Sequence, residues 1–167
     1  GCSAVKDLYS LVILLDEEGL GERATVYATS MSQLILEKLE DGTFQTAALK
    51  EFELEYKESG GKGAFREYCV EGKKRASFID PLKKHVVFAQ HNLATDASFN
   101  EFNTILCRDV LSGYRPPLQG RATGVLCESL GVFGRLALGQ TESIANSPKE
   151  TSYAEFDAAH RLYRKIR

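Results

Sequence analysis

No Cys-x-x-Cys pair and no Cys/His cluster occurs in this chain. Its four cysteines, Cys2, Cys69, Cys107 and Cys127, stand far apart. That spacing excludes the common zinc frameworks, and four cysteines in 167 residues are too few for a disulfide scaffold. A reduced, cytoplasmic protein is the expectation, with Cys107, inside an apolar run, read as a small core residue. Long apolar runs are also lacking. The longest near the start, residues 11–15, falls far below the roughly 18 residues of a membrane span, so no membrane insertion is expected. No basic-then-apolar leader pattern is read at the start. Excess charge of one sign is missing too. Lys and Arg number 21 against 23 Asp and Glu, for a net charge of -2 and a pI near 6.0. That balance argues against general nucleic-acid affinity. His85, His91 and His160 are too scattered for a metal site, and neither a phosphate-binding glycine loop nor an internal repeat is present.

What is present suits one domain: 43% hydrophobic residues over 167 positions supply a real core. Residues 8–18 place Leu8, Leu11, Val12 and Leu15 on one helical face, and Gly19 is a natural stop. Residues 25–28 read as a short strand. Ser32 then caps a helix that ends near Gly42, and residues 47–57 read as a third helix. The break Ser59-Gly60-Gly61-Lys62-Gly63 precedes a mixed aromatic and basic stretch, residues 65–79, that suits a small excursion from the main sheet. Lys73-Lys74-Arg75 and Lys83-Lys84-His85 read first as a solvated basic face.

Two runs stand out. Val86-Val87-Phe88-Ala89-Gln90-His91-Asn92-Leu93 and Phe102-Asn103-Thr104-Ile105-Leu106-Cys107-Arg108-Asp109-Val110-Leu111 are short apolar stretches that stop at polar residues. Buried parallel strands that deliver loops to the carboxyl edge of a sheet read this way. Open α/β sheets bind their ligands at that edge. Pro116-Pro117 introduces a helix over residues 118–130, residues 135–138 read as another strand, and residues 153–157 and 161–166 pair as a closing antiparallel hairpin. Strands alternating with helices imply a βαβ sheet.

In order and spacing, these two runs, with Gly1-Cys2-Ser3 followed by Tyr9-Ser10, and with Val26-Tyr27-Ala28-Thr29-Ser30, resemble the CheR family of chemoreceptor methyltransferases. The resemblance extends through Leu138-Gly139-Gln140-Thr141-Glu142-Ser143 to Tyr163-Arg164-Lys165. It implies a class I methyltransferase (Rossmann-like) α/β sheet with helices on both faces. A small inserted subdomain over residues 60–82 and a C-terminal antiparallel hairpin complete that expectation. The whole chain, residues 1–167, would then be a single methyltransferase domain truncated at its N-terminus, with the first strand missing. With that strand absent, the strands near Thr25 and Thr104 would leave a gap at the sheet centre, pair directly, or take a partner chain into the slot.

The implied activity is methylation of protein glutamates with S-adenosylmethionine. The implied cofactor-binding residues are Gly1, Ser3, Asp7, Ser30, Asn92, Leu93, Asp109 and Val110, with Arg108 and Tyr114 at the reacting centre and no metal. The implied partners are chemoreceptor cytoplasmic helices or another signalling protein, and the basic stretch would then dock an acidic receptor helix. Several family positions differ here. Val5 replaces a glycine, Lys6 an acid, Ser30 the ribose-binding Asp, Asn103 an Asp, Asp109 an Asn and Gly113 a Tyr. Ser30 reads first as the start of a helix cap, and His91 equally as a locally bonded strand-end residue. These substitutions keep a second function open, a pseudo-methyltransferase that serves as a protein-binding or signalling module.

Overall fold

The computed structural model describes residues 4–145 and 147–167. They divide into two compact units, one ending at Gln90 and the other running from His91 to Arg167.

In the first unit, α1 (Val5–Glu17) is followed by β1 (Val26–Ser30), α2 (Gln33–Asp41), β2 (Thr43–Gln45) and α3 (Leu49–Glu58). β3 (Cys69–Glu71), β4 (Arg75–Phe78) and β5 (Val86–Gln90) complete it. β1 and β5 pair in parallel from Val26↔Val86 to Ser30↔Gln90. β2, β4 and β3 make a small antiparallel sheet in that order, so the excursion read from residue 65 onward also recruits β2 from before α3. Lys73 and Lys74 lie exposed in the turn between β3 and β4.

α1 buries Leu8, Tyr9, Val12 and Ile13, a face turned from the one expected, with Leu11 and Leu15 at its half-buried margin. The aromatic core sets that turn. Tyr9 stacks on Phe78 with ring centroids 4.3 Å apart, and its hydroxyl donates to the Leu39 carbonyl at 3.0 Å. Burial, then the nearby Asp80 and Asp41 charges, push its phenol up to about 12. Gly42 ends α2 in the left-handed region, at φ 64. A Cβ there would stand 2.7 Å from the Tyr9 hydroxyl, so conformation and space both demand glycine. Ser32 occupies the N-cap of α2 as expected, but its hydroxyl makes no cap bond. Instead the Ser30 hydroxyl accepts from the Ser32 N–H at 3.3 Å.

In the second unit, β6 (Phe102–Cys107) leads through α4 (Pro116–Ser129) to β7 (Leu130–Leu138). β8 (Tyr153–Asp157) and β9 (Leu162–Lys165) form the expected hairpin. The sheet order is β6-β7-β9-β8, with β6 and β7 parallel and β7 and β9 antiparallel. Two prolines open α4, where their missing N–H groups cost nothing. β7 starts at Leu130, earlier than residue 135, because it follows α4 with no linker. The extra stretch is irregular, with Phe133 at φ 68 and a register shift between Phe102 and Thr104. Leu136, Leu138, Tyr153 and Tyr163 meet Ala122, Val125 and Leu126 of α4 in one core.

Among the described residues, β1's one ladder is to β5 and β6's is to β7, so the two do not pair directly. Both strands of the first ladder keep exposed apolar side chains, Tyr27 and Val87, as β6 does at Leu106. Strands read as buried thus keep part of their apolar side-chain surface exposed.

α4 has no basic residue in its last turn. Lys165 of β9 supplies one from afar, its ammonium donating to the Cys127 carbonyl at 2.7 Å and the Leu130 carbonyl at 2.6 Å. The Cys127 carbonyl also accepts from the Leu130 N–H, so the ammonium adds a charged donor to a helix end that one local bond already closes. Replacing Lys165→Met is therefore expected to lower stability by about 1.5–3 kcal/mol, the range for hydrogen bonds to a charged group. Urea unfolding checks this, and an unchanged midpoint would show the ammonium to be dispensable.

Candidate functional site

The chain leaves β6 after the fully buried Cys107, whose thiol burial pushes up, and enters the segment Arg108-Asp109-Val110. Asp109 takes the left-handed conformation, φ 57, which aspartate tolerates better than most residues. Its N–H donates to Oε2 of Glu142 at 2.9 Å. The Gly139 N–H donates to the same oxygen and the Ser112 N–H to Oε1, each at 2.9 Å. Glu142 is 4% exposed, so these backbone donors replace its water. The Glu142 N–H in turn donates to the Gly139 carbonyl at 2.9 Å, closing the turn after β7. A Cβ at Gly139 would stand 2.4 Å from Oδ1 and 2.9 Å from N of Asp109, so only a glycine lets the two strand-end loops approach.

On this stem Arg108 and Asp109 are exposed, and Val110 and Tyr114 are half-buried against the core. Burial, then the Cys107 charge, push the Tyr114 phenol up. Gln119 donates its amide to the Leu111 and Tyr114 carbonyls at 3.1 and 2.9 Å, tying the loop to the first turns of α4. Gly113 faces open space: a Cβ there would meet no atom within 4 Å.

The segment after β5 is built by two side chains that accept from nearby backbone N–H groups. The Ala94 N–H donates to Oδ1 of Asn92 at 2.9 Å, and the Asn92 N–H donates to Oδ2 of Asp96 at 2.8 Å. The Asn92 side chain bonding the N–H two residues on is an Asx-type turn. Leu93 is 9% exposed and belongs to the core of its unit. Arg121 of α4 donates to the Thr95 carbonyl at 2.7 Å. A His91 ring nitrogen lies 3.1 Å from the Ala97 carbonyl, the local bonding that was one of its two readings.

In the first unit, Asp7 is exposed in the first turn of α1, where the helix dipole favours a carboxylate. Val5 packs against the core. Lys6 pairs with Glu55 of α3 at 2.9 Å and lies 5.8 Å from the centre of the Phe52 ring. Ser30 is 7% exposed. A cleft of about 300 Å³ lined by Ser10, Glu17, Phe52 and Tyr56 holds none of the expected site residues. Gly1 and Ser3 lie outside the described residues.

The structure thus groups Arg108, Asp109, Val110 and Tyr114 on one loop and Asn92 and Leu93 on the preceding one. Asp7 and Ser30 belong to the other unit. The sequence reading passes over Glu142 as a site residue. The available signal was a lone carboxylate three residues after a glycine that ends an apolar strand. Among the described residues no three His, Cys, Asp or Glu side chains could hold a metal ion.

A parallel βαβ crossover with polar strand-end loops and a second parallel strand pair accord with the fold of α/β methyltransferase domains. The family model described as CheR methyltransferase, SAM binding domain, matches residues 1–159, and the chain belongs to that family. It is 37% identical over 165 residues to a Pseudomonas putida protein named as a candidate methyltransferase, Cher3, covering 99% of this chain and 60% of that protein. Over 145 residues it is 26% identical to a chemotaxis protein methyltransferase of Listeria innocua, covering 87% of this chain and 52% of that protein. Over 153 residues it is 27% identical to one of Vibrio parahaemolyticus, covering 85% of this chain and 52% of that protein. The chain therefore spans between half and three-fifths of the length of these relatives.

Two outcomes follow from this geometry. Gly139→Ala is expected to destabilise the second unit by at least about 1 kcal/mol, through a backbone clash that no rotamer relieves. Thermal unfolding reads it, and wild-type stability would show that the loops can separate freely. The second concerns pH. The Asn92 N–H and the Thr95 hydroxyl hold the Asp96 carboxyl below its usual range. A lowered native pKa contributes stability above the ordinary value, about 4, and loses it as pH falls through the native one. The Asn92 amide should therefore lose its protection from hydrogen exchange on acidification below about pH 4. Unchanged protection in that window would contradict the assignment.

Proposed function

We propose that this chain is the cofactor-binding domain of a protein-glutamate O-methyltransferase of the chemotaxis type. It takes S-adenosylmethionine as donor and glutamate side chains of chemoreceptor cytoplasmic helices as acceptors. Family membership over residues 1–159 supports the reading, as do the names of the Listeria and Vibrio relatives. The observation that carries it is the loop after β6, which presents exposed Arg108 and Asp109 beside Tyr114 on a stem pinned by Glu142. A cytoplasmic location accords with this reading, and among the described residues no helix is long and apolar enough to cross a membrane.

When bound, the cofactor supplies a methyl group on a sulfonium, which a carboxylate oxygen attacks without a strong base. The chain's own work is positioning. The Arg108 guanidinium matches a carboxylate in a two-pronged grip and holds the acceptor. Asp7 carries an exposed carboxylate that suits the cofactor's ammonium. Lys6 does not oppose it as a lone cation, since Glu55 neutralises it.

The nucleoside end fits less well. Ser30, at the ribose position, is 7% exposed with its hydroxyl already accepting from Ser32, and Leu93 sits in the core. That observation favours the second reading, a binding or signalling module on the same fold with methyl transfer lost. Calorimetry with S-adenosylhomocysteine separates the two: micromolar binding supports the enzyme, and none at millimolar ligand supports the module. For the enzyme, Arg108→Ala should lower transfer to a receptor fragment about 10- to 100-fold, the worth of one charge-assisted pair. Affinity for S-adenosylhomocysteine should stay within about threefold. Equal loss of both would remove Arg108 from substrate positioning.

A further inference from the structure

We infer that Glu142 is a positioning residue for the loop Arg108–Val110, acting through its charge on backbone donors and not through its bulk. The inference rests on the proposed role of that loop. Glu142 sits at the end of the turn that follows β7, while the loop follows β6, the adjacent parallel strand. Nothing in the packing of two neighbouring strands fixes the path their loops take beyond the sheet. Here one carboxylate fixes it. Oε2 receives the N–H groups of Asp109 and Gly139, and Oε1 receives that of Ser112. These donors lie on both flanks of Val110 and on the neighbouring loop, so the carboxylate defines the loop at both ends.

The choice of residue follows from the donors. Three N–H groups converging on one buried site need an acceptor-only group with two oxygens. An amide side chain offers one oxygen, and its own N–H groups would face a backbone donor. The left-handed turn at Asp109 gives a second reason. The Asp109 N–H is the one given to Oε2 of Glu142, at 2.9 Å. The bond in return holds a non-glycine residue in a region it visits rarely. Arg108 and Asp109 are adjacent at that turn, and both are exposed. Gly139 completes the device, because its missing Cβ leaves the space that Asp109 occupies.

Glu142→Gln in the 167-residue chain tests this with two readouts. Backbone hydrogen exchange by NMR should show the Asp109, Ser112 and Gly139 amides losing protection tenfold or more, with Leu136 and Tyr163 in the core ladder unchanged. Calorimetry with S-adenosylhomocysteine should show affinity falling at least tenfold. Glu142→Asp keeps the charge and shortens the reach, and should restore part of both. If Glu142→Gln fails to fold, Glu142→Asp carries the test, with the same amides losing protection to a smaller degree. Retained protection of those amides overturns the inference, as does loosened protection with unchanged ligand affinity. If the wild-type chain binds no S-adenosylhomocysteine, the proposed function fails. The exchange readout alone then decides whether Glu142 governs the loop.

Discussion

A carboxylate taken out of water must be given donors or it will not stay ionised and buried. Glu142 is given three, all from the backbone, and the strand-end loops of the second unit are arranged around it. Remove that constraint and several other features lose their reason. Asp109 has no cause to turn left-handed, Gly139 has no cause to lack a side chain, and the residues between β6 and α4 have no fixed path. The sheet below is held by ordinary means, a βαβ crossover packed on α4. The carboxylate converts that generic support into a defined loop, by the same logic that makes preorganised donors effective in active sites.

The first unit is organised differently, around packing. Tyr9 reaches the α2 carbonyl of Leu39 and stacks on Phe78, and Phe44, Phe52 and Phe65 extend the aromatic cluster. Gly42 is fitted to the Tyr9 hydroxyl as Gly139 is fitted to Asp109. In each unit a glycine marks where two elements come too close for a Cβ. Polar support is secondary here: Glu17 accepts from the Tyr56 and Tyr68 hydroxyls and from the Lys62 N–H, which closes the glycine-rich break onto α1.

Element positions were legible in the sequence because hydrophobic period and turn residues encode them directly. The strand at Val86–Gln90 and the hairpin Tyr153–Asp157 with Leu162–Lys165 stand where the pattern put them. Gly42 and Pro116 mark helix ends as expected. The buried face of α1 was less legible, because Tyr9 and Ile13 are chosen by an aromatic cluster from distant segments. So was the true start of β7, because Gly131 and Gly134 interrupt the pattern while Phe133 takes a conformation no propensity predicts. The site was legible as a set of segments and not as a set of contacts. Family likeness picked out Arg108 to Val110 but could not show that Asn92 serves its own turn, that Lys6 is paired, or that Glu142 lies beneath the loop. Those facts depend on partners 2 to 49 positions away.

The ammonium of Lys165 on the last carbonyls of α4 has a consequence for the order in which this unit is assembled. Most helices end on local instructions, a glycine or a basic residue within a turn of the terminus. α4 has one local bond, from the Leu130 N–H, and adds to it a donor 35 to 38 residues later in the chain. The start of the helix is set locally by its two prolines, whereas full closure of its last turn also needs a residue of β9. Helix termination is thereby coupled to sheet closure and its loop-closure entropy as well as to helix propensity. A nick between β7 and β8 that released the hairpin would accordingly be felt first at Cys127 to Leu130, on the far side of the core from the cut strand.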